Sequence, residues 1–227
     1  MERSLSMAFA AGALVFPGGA TDADDHELAS SMATDLPIDE AASRIGAIRE
    51  TLEESGIAPG IGISDPRILA ELRRELEKGT AFSALVQAHG LSLDLDALIP
   101  FARWSPSPEE HVRRVFDARF YLARHDPEGP DASVDDTEHV RLFWETAAGV
   151  LARCAAGQGR VIYPTRRNLE RLAQFGSVEA LEDHARGIAV EKIVPWLEER
   201  PDGHYLCIPG HLGYPTCEER VDTALRG

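Results

Sequence analysis

Apolar residues recur at helical spacing beyond position 38, with Ala42, Ile45, Ile48 and Leu52 falling on one stripe. Asp39 and Glu40 sit near the positive end of the dipole and Gly56 stands where such a helix would stop, so the pattern predicts a helix over 38–56. Upstream, 13–16 reads as a short buried strand ended by Pro17-Gly18-Gly19, and the polar, Asp- and Ser-rich stretch 21–35 reads as a loop. Two further helical patterns lie within 65–90 (Ile68, Leu69, Leu72, Leu76, then Phe82, Leu85, Val86) and predict an added helical pair. Strands are expected at 115–123 and 139–144, separated by a Pro- and Asp-rich loop. Helices are expected at 146–156, 165–175 and 178–186, and two short strands around Pro201-Asp202-Gly203 within 191–208.

A chain of 227 residues, 44% hydrophobic and 27% charged, has the balance of an ordinary globular protein. The net charge of −15 argues against a protein that coats nucleic acid, because that task needs clustered Lys and Arg. Any polyanionic substrate must therefore be met locally, by bound cations or a few arginines. Cys154, Cys207 and Cys217 form no close-spaced pair, which fits a reducing compartment and a cytoplasmic protein. The apolar run 7–16 resembles a secretory leader, but Glu2 cancels its positive charge and Pro-Gly-Gly ends it, so a strand entering a turn is the better reading.

Chemistry concentrates in the helix. Glu50, Glu53 and Glu54 stand at i, i+3 and i+4, so three carboxylates project from one face and repel. Such a triplet is either a solvated acidic face or a site where a divalent cation offsets the repulsion. His204, Cys207, His211 and Cys217 could be imagined as a zinc site, but their gaps follow no usual knuckle, and 206–208 reads more simply as a strand with a buried Cys. Cys154 lies in an Ala-rich helical stretch and is assigned to packing.

The string Arg49-Glu50-Thr51-Leu52-Glu53-Glu54-Ser55-Gly56-Ile57 resembles the signature of the Nudix hydrolases, with Arg49, Glu50, Glu53, Glu54, Gly56 and Ile57 in matching places. It follows a Pro-Gly-Gly segment, the context that family places before its catalytic helix. Thr51 occupies a usually apolar position, and Asp35 and Ala41 stand where the family has a Gly and a Glu. Taking Gly19 as the matching glycine lengthens the intervening loop by sixteen positions and leaves Glu40 one place out of register. A loop lengthened in this way resembles the branch related to the mammalian peroxisomal coenzyme A diphosphatases. Its phrases are matched by Met7-Ala8-Phe9, Val15-Phe16-Pro17-Gly18-Gly19 with Asp22 and Asp25, Pro100-Phe101-Ala102-Arg103-Trp104, Arg119-Phe120-Tyr121 and Pro164-Thr165-Arg166.

The resemblance implies an α/β fold, the Nudix α/β/α sandwich with a mixed sheet, plus added helices. It implies one domain over 1–227 with a helical insertion around 65–90 and an extension over 146–227. It further implies a metal-dependent hydrolase that splits a phosphoanhydride in a nucleoside diphosphate linked to another moiety, with coenzyme A or acyl-coenzyme A among the expected substrates. Glu50, Glu53 and Glu54 would hold Mg²⁺ or Mn²⁺, Arg49 would orient a glutamate, and Glu138 would serve as a further metal ligand or base. Gly18 and Gly19 would shape the backbone at the site, and Arg103, Arg119 and Arg166 would meet substrate phosphate. The alternative is a Nudix-fold module that binds a nucleotide without cleaving it. A Nudix sheet also carries a strand ahead of the Pro-Gly-Gly segment, which 1–6 is too short to supply, so in-frame upstream sequence rich in Leu and Val, or a homodimer covering the exposed edge, is expected. No nucleic-acid or membrane partner is expected, only the small diphosphate.

Overall fold

The structure, a computed structural model, describes residues 1–5, 10–63, 65–106, 117–125, 129, 131–134 and 139–224. In chain order its elements are β1 (Glu2–Arg3), α1 (Ala23–Ser31), α2 (Ile38–Ser55), α3 (Pro66–Glu77), α4 (Phe82–Ala88), a 3₁₀ turn (Leu95–Ala97), β2 (Ile99–Trp104), β3 (Ala118–Leu122) and β4 (His139–Arg141). There follow α5 (Ala147–Ala155), α6 (Tyr163–Leu172), α7 (Val178–Gly187), β5 (Lys192–Ile193), β6 (Trp196–Arg200), β7 (Gly203–Cys207), β8 (Glu218–Arg220) and α8 (Val221–Ala224). The class is α/β, and the β3-β2-β5 sheet is mixed: β2 runs antiparallel to β3 and parallel to β5.

The chain divides into two compact units. The first comprises Met1–Ser4, Phe16–Leu98 and Ala123–Leu142. Its centre is α2, whose Ala42, Ile45, Ile48 and Leu52 are all fully buried, the stripe expected from the spacing, with Ala41 buried beside them. α2 ends where Gly56 adopts φ 73°, a left-handed cap that returns its N–H to Leu52 O. α1 and α3 pack against α2, and α1 also meets α4. Leu69, Leu72 and Leu76 of α3 and Phe82 and Leu85 of α4 are buried, as the helical pattern over 65–90 predicts. β1 and β4 form a two-stranded antiparallel pair.

The second unit comprises Leu5–Val15, Ile99–Leu122 and Phe143–Gly227. Trp104 is central to it: its indole lies edge-on to Tyr163 and Tyr214, and Nε1 donates to Asn168 Oδ1 at 3.2 Å. Arg171, buried in the same cluster, donates to Phe101 O at 2.7 Å and stacks over the Phe101 ring at 4.3 Å. β6, β7 and β8 form a separate antiparallel sheet. A second apolar cluster gathers Leu14, Val161 and Leu169, with Cys154 of α5 packed against it, the role assigned to that cysteine.

Several expectations need correction. The stretch 21–35 is not a loop but contains α1, begun by a reciprocal capping box: Asp25 N–H donates to Asp22 Oδ1 at 2.8 Å and Asp22 N–H to Asp25 Oδ2 at 3.0 Å. The strand expected at 13–16 reduces to one bridge position at Leu14, whose N–H donates to Arg160 O at 2.8 Å, and Phe16 is 38% exposed. β2 was not among the expected strands because Pro100 breaks its pattern. The register shifts between Pro100 and Ala102, and such irregularities are where strands tolerate proline. β4 stops at Arg141, short of the expected Trp144, and β3 covers Ala118–Leu122 of the expected 115–123, whose residues 115 and 116 lie outside the described residues. α6 begins at Tyr163 because Pro164 fits the first turn of a helix, and β8 adds a third strand to the predicted hairpin.

Candidate active site

The candidate site lies in the first unit, on the last two turns of α2. Arg49 is 7% exposed and its guanidinium is used on every side. Nε and Nη2 grip Asp25 at 3.1 and 2.9 Å, and Nη2 also donates to Ala20 O at 3.0 Å. The other terminal nitrogen, Nη1, donates to Glu50 Oε1 at 2.8 Å and lies 3.6 Å from Glu53 Oε1. Burial by itself would lower the Arg49 pKa, but the Asp25 hydrogen bonds and the charges of Asp25 and Glu50 more than reverse this and hold it above the ordinary value. The cation is thus permanent, and it draws Glu50 and Glu53 toward one point.

Glu54, also 7% exposed, accepts from the Gly18 N–H at 2.7 Å through Oε2, while Oε1 lies 3.8 Å from Nε2 of His139, a residue of β4 that is itself 1% exposed. Gly18 has φ 148°, a conformation that favours glycine. Gly19 serves space: a Cβ there would collide with the Glu50 carboxylate. Burial raises the Glu53 pKa above its usual value, Arg49 opposes that, and the charge of Glu50 adds to the rise. Arg73 of α3 donates to Glu53 O at 2.8 Å and Glu54 O at 3.3 Å, capping the orphan carbonyls at the end of α2, and to Ser133 Oγ at 2.7 Å.

Of the residues read from the sequence, the structure brings together Arg49, Glu50, Glu53, Glu54, Gly18 and Gly19. Glu138 lies outside the described residues. Arg103, Arg119 and Arg166 belong to the second unit, where Arg103 and Arg119 are cross-strand neighbours on β2 and β3. Arg103 forms a bidentate pair with Asp117 at 2.7 and 2.6 Å, which Lys192 joins at 2.9 Å. The Arg103 hydrogen bond, with Lys192 in support, holds the Asp117 carboxyl well below the usual carboxylate range. Arg166 on α6 lies 3.7 Å from Glu219. Sequence reasoning named Asp25 only within a branch-like phrase, without a role at the site, and did not single out Arg73 or His139. Two signals pointed toward Asp25, namely the Asp-x-x-Asp spacing of a capping box and a glycine, Gly46, inside a strongly patterned helix.

Among the described residues, no three His, Cys, Asp or Glu side chains are gathered as a ready-made metal cage. The donor chemistry of the stripe nevertheless fits a hard divalent ion. Its donors are carboxylate oxygens, Glu50 rests in a cradle that a Cβ on Gly19 would fill, and Glu53 is held at a charge cost that a cation would relieve. The zinc arrangement weighed for His204, Cys207, His211 and Cys217 finds no counterpart there. Cys207 Sγ instead contacts Glu198 Oε2 at 3.7 Å.

The chain is 29% identical to a Nudix hydrolase from Alicyclobacillus acidocaldarius of known crystal structure, with a TM-score of 0.64, covering 80% of this chain and 85% of that one. It is also 28% identical to the acyl-coenzyme A diphosphatase NUDT19 of Gallus gallus over 272 aligned residues, 95% of this chain and 72% of the relative. In both sequence and fold this chain is similar to the Nudix hydrolases. The likeness extends to the coenzyme A diphosphatase branch. The human acyl-coenzyme A diphosphatase NUDT19 is 27% identical over 78% of this chain, which spans half the length of that relative. No protein-family model matches the chain. The Nudix string is interrupted between Gly19 and Arg49 by the whole of α1, which separates residues that such a pattern expects close together.

Proposed function

We propose that this Nudix protein is a divalent-metal-dependent diphosphohydrolase that splits the phosphoanhydride of a nucleoside diphosphate joined to a second moiety, with coenzyme A or acyl-coenzyme A as the first substrate class. The observation that carries the reading is the Arg49 guanidinium, anchored on one edge by Asp25 and turned on the other toward Glu50 and Glu53, with Glu54 fastened one turn along by the Gly18 amide. A Mg²⁺ or Mn²⁺ ion on Glu50, Glu53 and Glu54 would supply neutralisation of the diphosphate charge and activation of water. The chain's own part is orientation: Arg49 fixes two carboxylates, Gly18 fixes the third, and Gly19 leaves room for Glu50. Glu138 is proposed as a further ligand or base, and Arg103, Arg119 and Arg166 as phosphate partners. The names of the relatives support the coenzyme A class. A homodimer in the cytoplasm completes the proposal, checked by light scattering and fractionation.

The test is hydrolysis of coenzyme A, an acyl-coenzyme A, a dinucleotide and a nucleotide sugar with Mg²⁺, with Mn²⁺ and with EDTA. Wild type is compared with Glu53→Gln and Glu54→Gln. Loss of one ligand carboxylate is expected to lower kcat by at least about 10²-fold. Activity untouched by both substitutions overturns the assignment. Ligand-induced thermal stabilisation without any product at high protein concentration would replace it with the non-catalytic binding module.

A further inference from the structure

We propose that the second unit binds a small monovalent anion of halide size, such as chloride, with the buried Arg171 guanidinium as its cationic partner. The site is independent of the acidic stripe, which lies in the first unit.

Four arginines are buried among the described residues, and three of them have carboxylates: Arg44 pairs with Glu40, Arg49 with Asp25, and Arg167 with Glu170 and Glu219. Arg171 on α6, 2% exposed, is the exception. Its partners among the described residues are all neutral: Nη1 donates to Phe101 O at 2.7 Å, Nε donates to His184 Nε2 at 3.1 Å, and the Tyr214 hydroxyl accepts a further bond. The rings of Phe101 and Tyr214, centred 4.3 and 5.3 Å from the guanidinium carbon, add attraction but no counter-charge.

Donors and charge are both left over. A guanidinium offers five N–H donors and here meets three acceptors, and it cannot shed its charge even though burial pushes its pKa down. His184 cannot supply the missing charge: it must be neutral to accept from Nε, and burial together with the Arg171 cation lowers its pKa. A buried charge without a partner is costly. A chain of net charge −15 has carboxylates in plenty, yet none is paired with this guanidinium.

Arg171 also lines a small recess, walled by Phe101, Ile188, Ile193, Leu212 and Tyr214, with room for little more than about one water-sized group. An anion of that size takes the remaining donors and cancels the charge; a phosphate ester or an acyl carboxylate is too large. Glu191 borders the same recess, but its carboxylate is 56% exposed and pairs with His211 at 3.1 Å. Because the partners of Arg171 come from β2, α7 and the segment carrying Tyr214, the anion stabilises the packing of all three around α6.

The experiment measures the thermal midpoint of the full chain in sodium chloride and in sodium gluconate, whose anion is too large for the recess, at equal ionic strength. Wild type, Arg171→Met and Glu191→Gln are compared, and bromide, a heavier stand-in for chloride, is located by anomalous scattering in wild-type crystals soaked in sodium bromide. At chloride about ten times its Kd, wild type is expected to melt about 4 °C higher than in gluconate. Arg171→Met is expected to lose that difference and Glu191→Gln to keep it, while bromide density stands against the Arg171 guanidinium. Equal wild-type midpoints in the two salts, or a chloride effect retained in Arg171→Met, overturn the inference. If Glu191 turns inward as the counter-charge, wild type is indifferent to chloride and Glu191→Gln acquires the dependence, which also overturns it. Should Arg171→Met fail to fold, the bromide map decides: density on Arg171 sustains the site, and its absence there overturns it.

Discussion

Replacing Gly19 by alanine perturbs the geometry of the stripe without touching its charge. The backbone at Gly19 is not in the left-handed region, so the substitution carries little conformational strain, and its whole effect comes from one added methyl aimed at the Glu50 carboxylate. Non-bonded atoms settle at about 3.5–4 Å, so the carboxylate has to retreat by on the order of 1 Å. The clash is with the far end of a flexible side chain, 16% exposed and paired with Arg49, which can give way. The fold should therefore survive. A reacting group displaced by about 1 Å costs about 10²-fold in rate, equivalent to about 2.7 kcal/mol of transition-state stabilisation. The expected result is a kcat/KM on the preferred diphosphate about 10²-fold below wild type, with a thermal midpoint lowered by only about 2 °C. Gly18→Ala is the contrasting control. Its Cβ would meet nothing within 4 Å, yet φ 148° disfavours any L-residue, so stability should fall along with the Gly18 amide's grip on Glu54. A Gly19→Ala protein with wild-type kcat/KM would refute the cradle argument, because the carboxylate would then be shown to work equally well from a displaced position.

Three further outcomes follow from the same geometry. Arg73→Ala strips the donors from the last carbonyls of α2 and from Ser133, and should cost about 1–2 kcal/mol, seen as a lower denaturant midpoint with an unchanged m-value. Asp117 has its folded pKa depressed, chiefly by Arg103, so its stabilisation is present above its ordinary value near 3.8 and is lost as pH falls through the lower folded value. Asp117→Asn should thus be less stable than wild type at pH 7, and the gap should close below about pH 4 in paired denaturation curves. Chelation should lower the thermal midpoint of wild type, and Mn²⁺ at about a hundred times its Kd should stabilise by about 2.7 kcal/mol; no shift with Mn²⁺ would speak against the carboxylate site.

The parts of this molecule that were legible in the sequence are those where one local rule acts unopposed. α2 announces itself through four buried apolar positions on one stripe and a glycine at its end, and the acidic triplet comes with it, because its spacing is a property of the helix and of nothing else. α3, α4 and the hairpin around Pro201-Asp202-Gly203 are legible for the same reason. β2 was hidden because Pro100 argues against a strand. Only its placement between β3 and β5, with an irregular register at that proline, explains how it is tolerated. α1 was hidden by composition: Ala-Asp-Asp-His-Glu-Leu-Ala-Ser-Ser has almost no apolar stripe, and its order derives from its caps and from the long-range partners of Asp24 and Asp25. Long-range partners cannot be read from spacing, so the contacts of Asp25, Arg73 and His139 with the stripe were not legible.

The ion-pair pattern also assigns the burden of neutralising substrate. In a chain of net charge −15, Arg49 is committed to Asp25 and Glu50, Arg44 to Glu40, Arg167 to Glu170 and Glu219, and Arg200 to Glu198 and Glu218. Arg103 is committed to Asp117 by two short bonds. An arginine already paired with a carboxylate gains from a phosphate only the difference between the two partners, and leaving a carboxylate behind reduces that difference further. A diphosphate approaching three glutamates therefore gains little from exchanging the partners of these arginines. On the proposed metal-dependent reading the cationic charge arrives with the substrate as a divalent ion, which makes the separation of Glu50, Glu53 and Glu54 the quantity on which catalysis should depend most steeply.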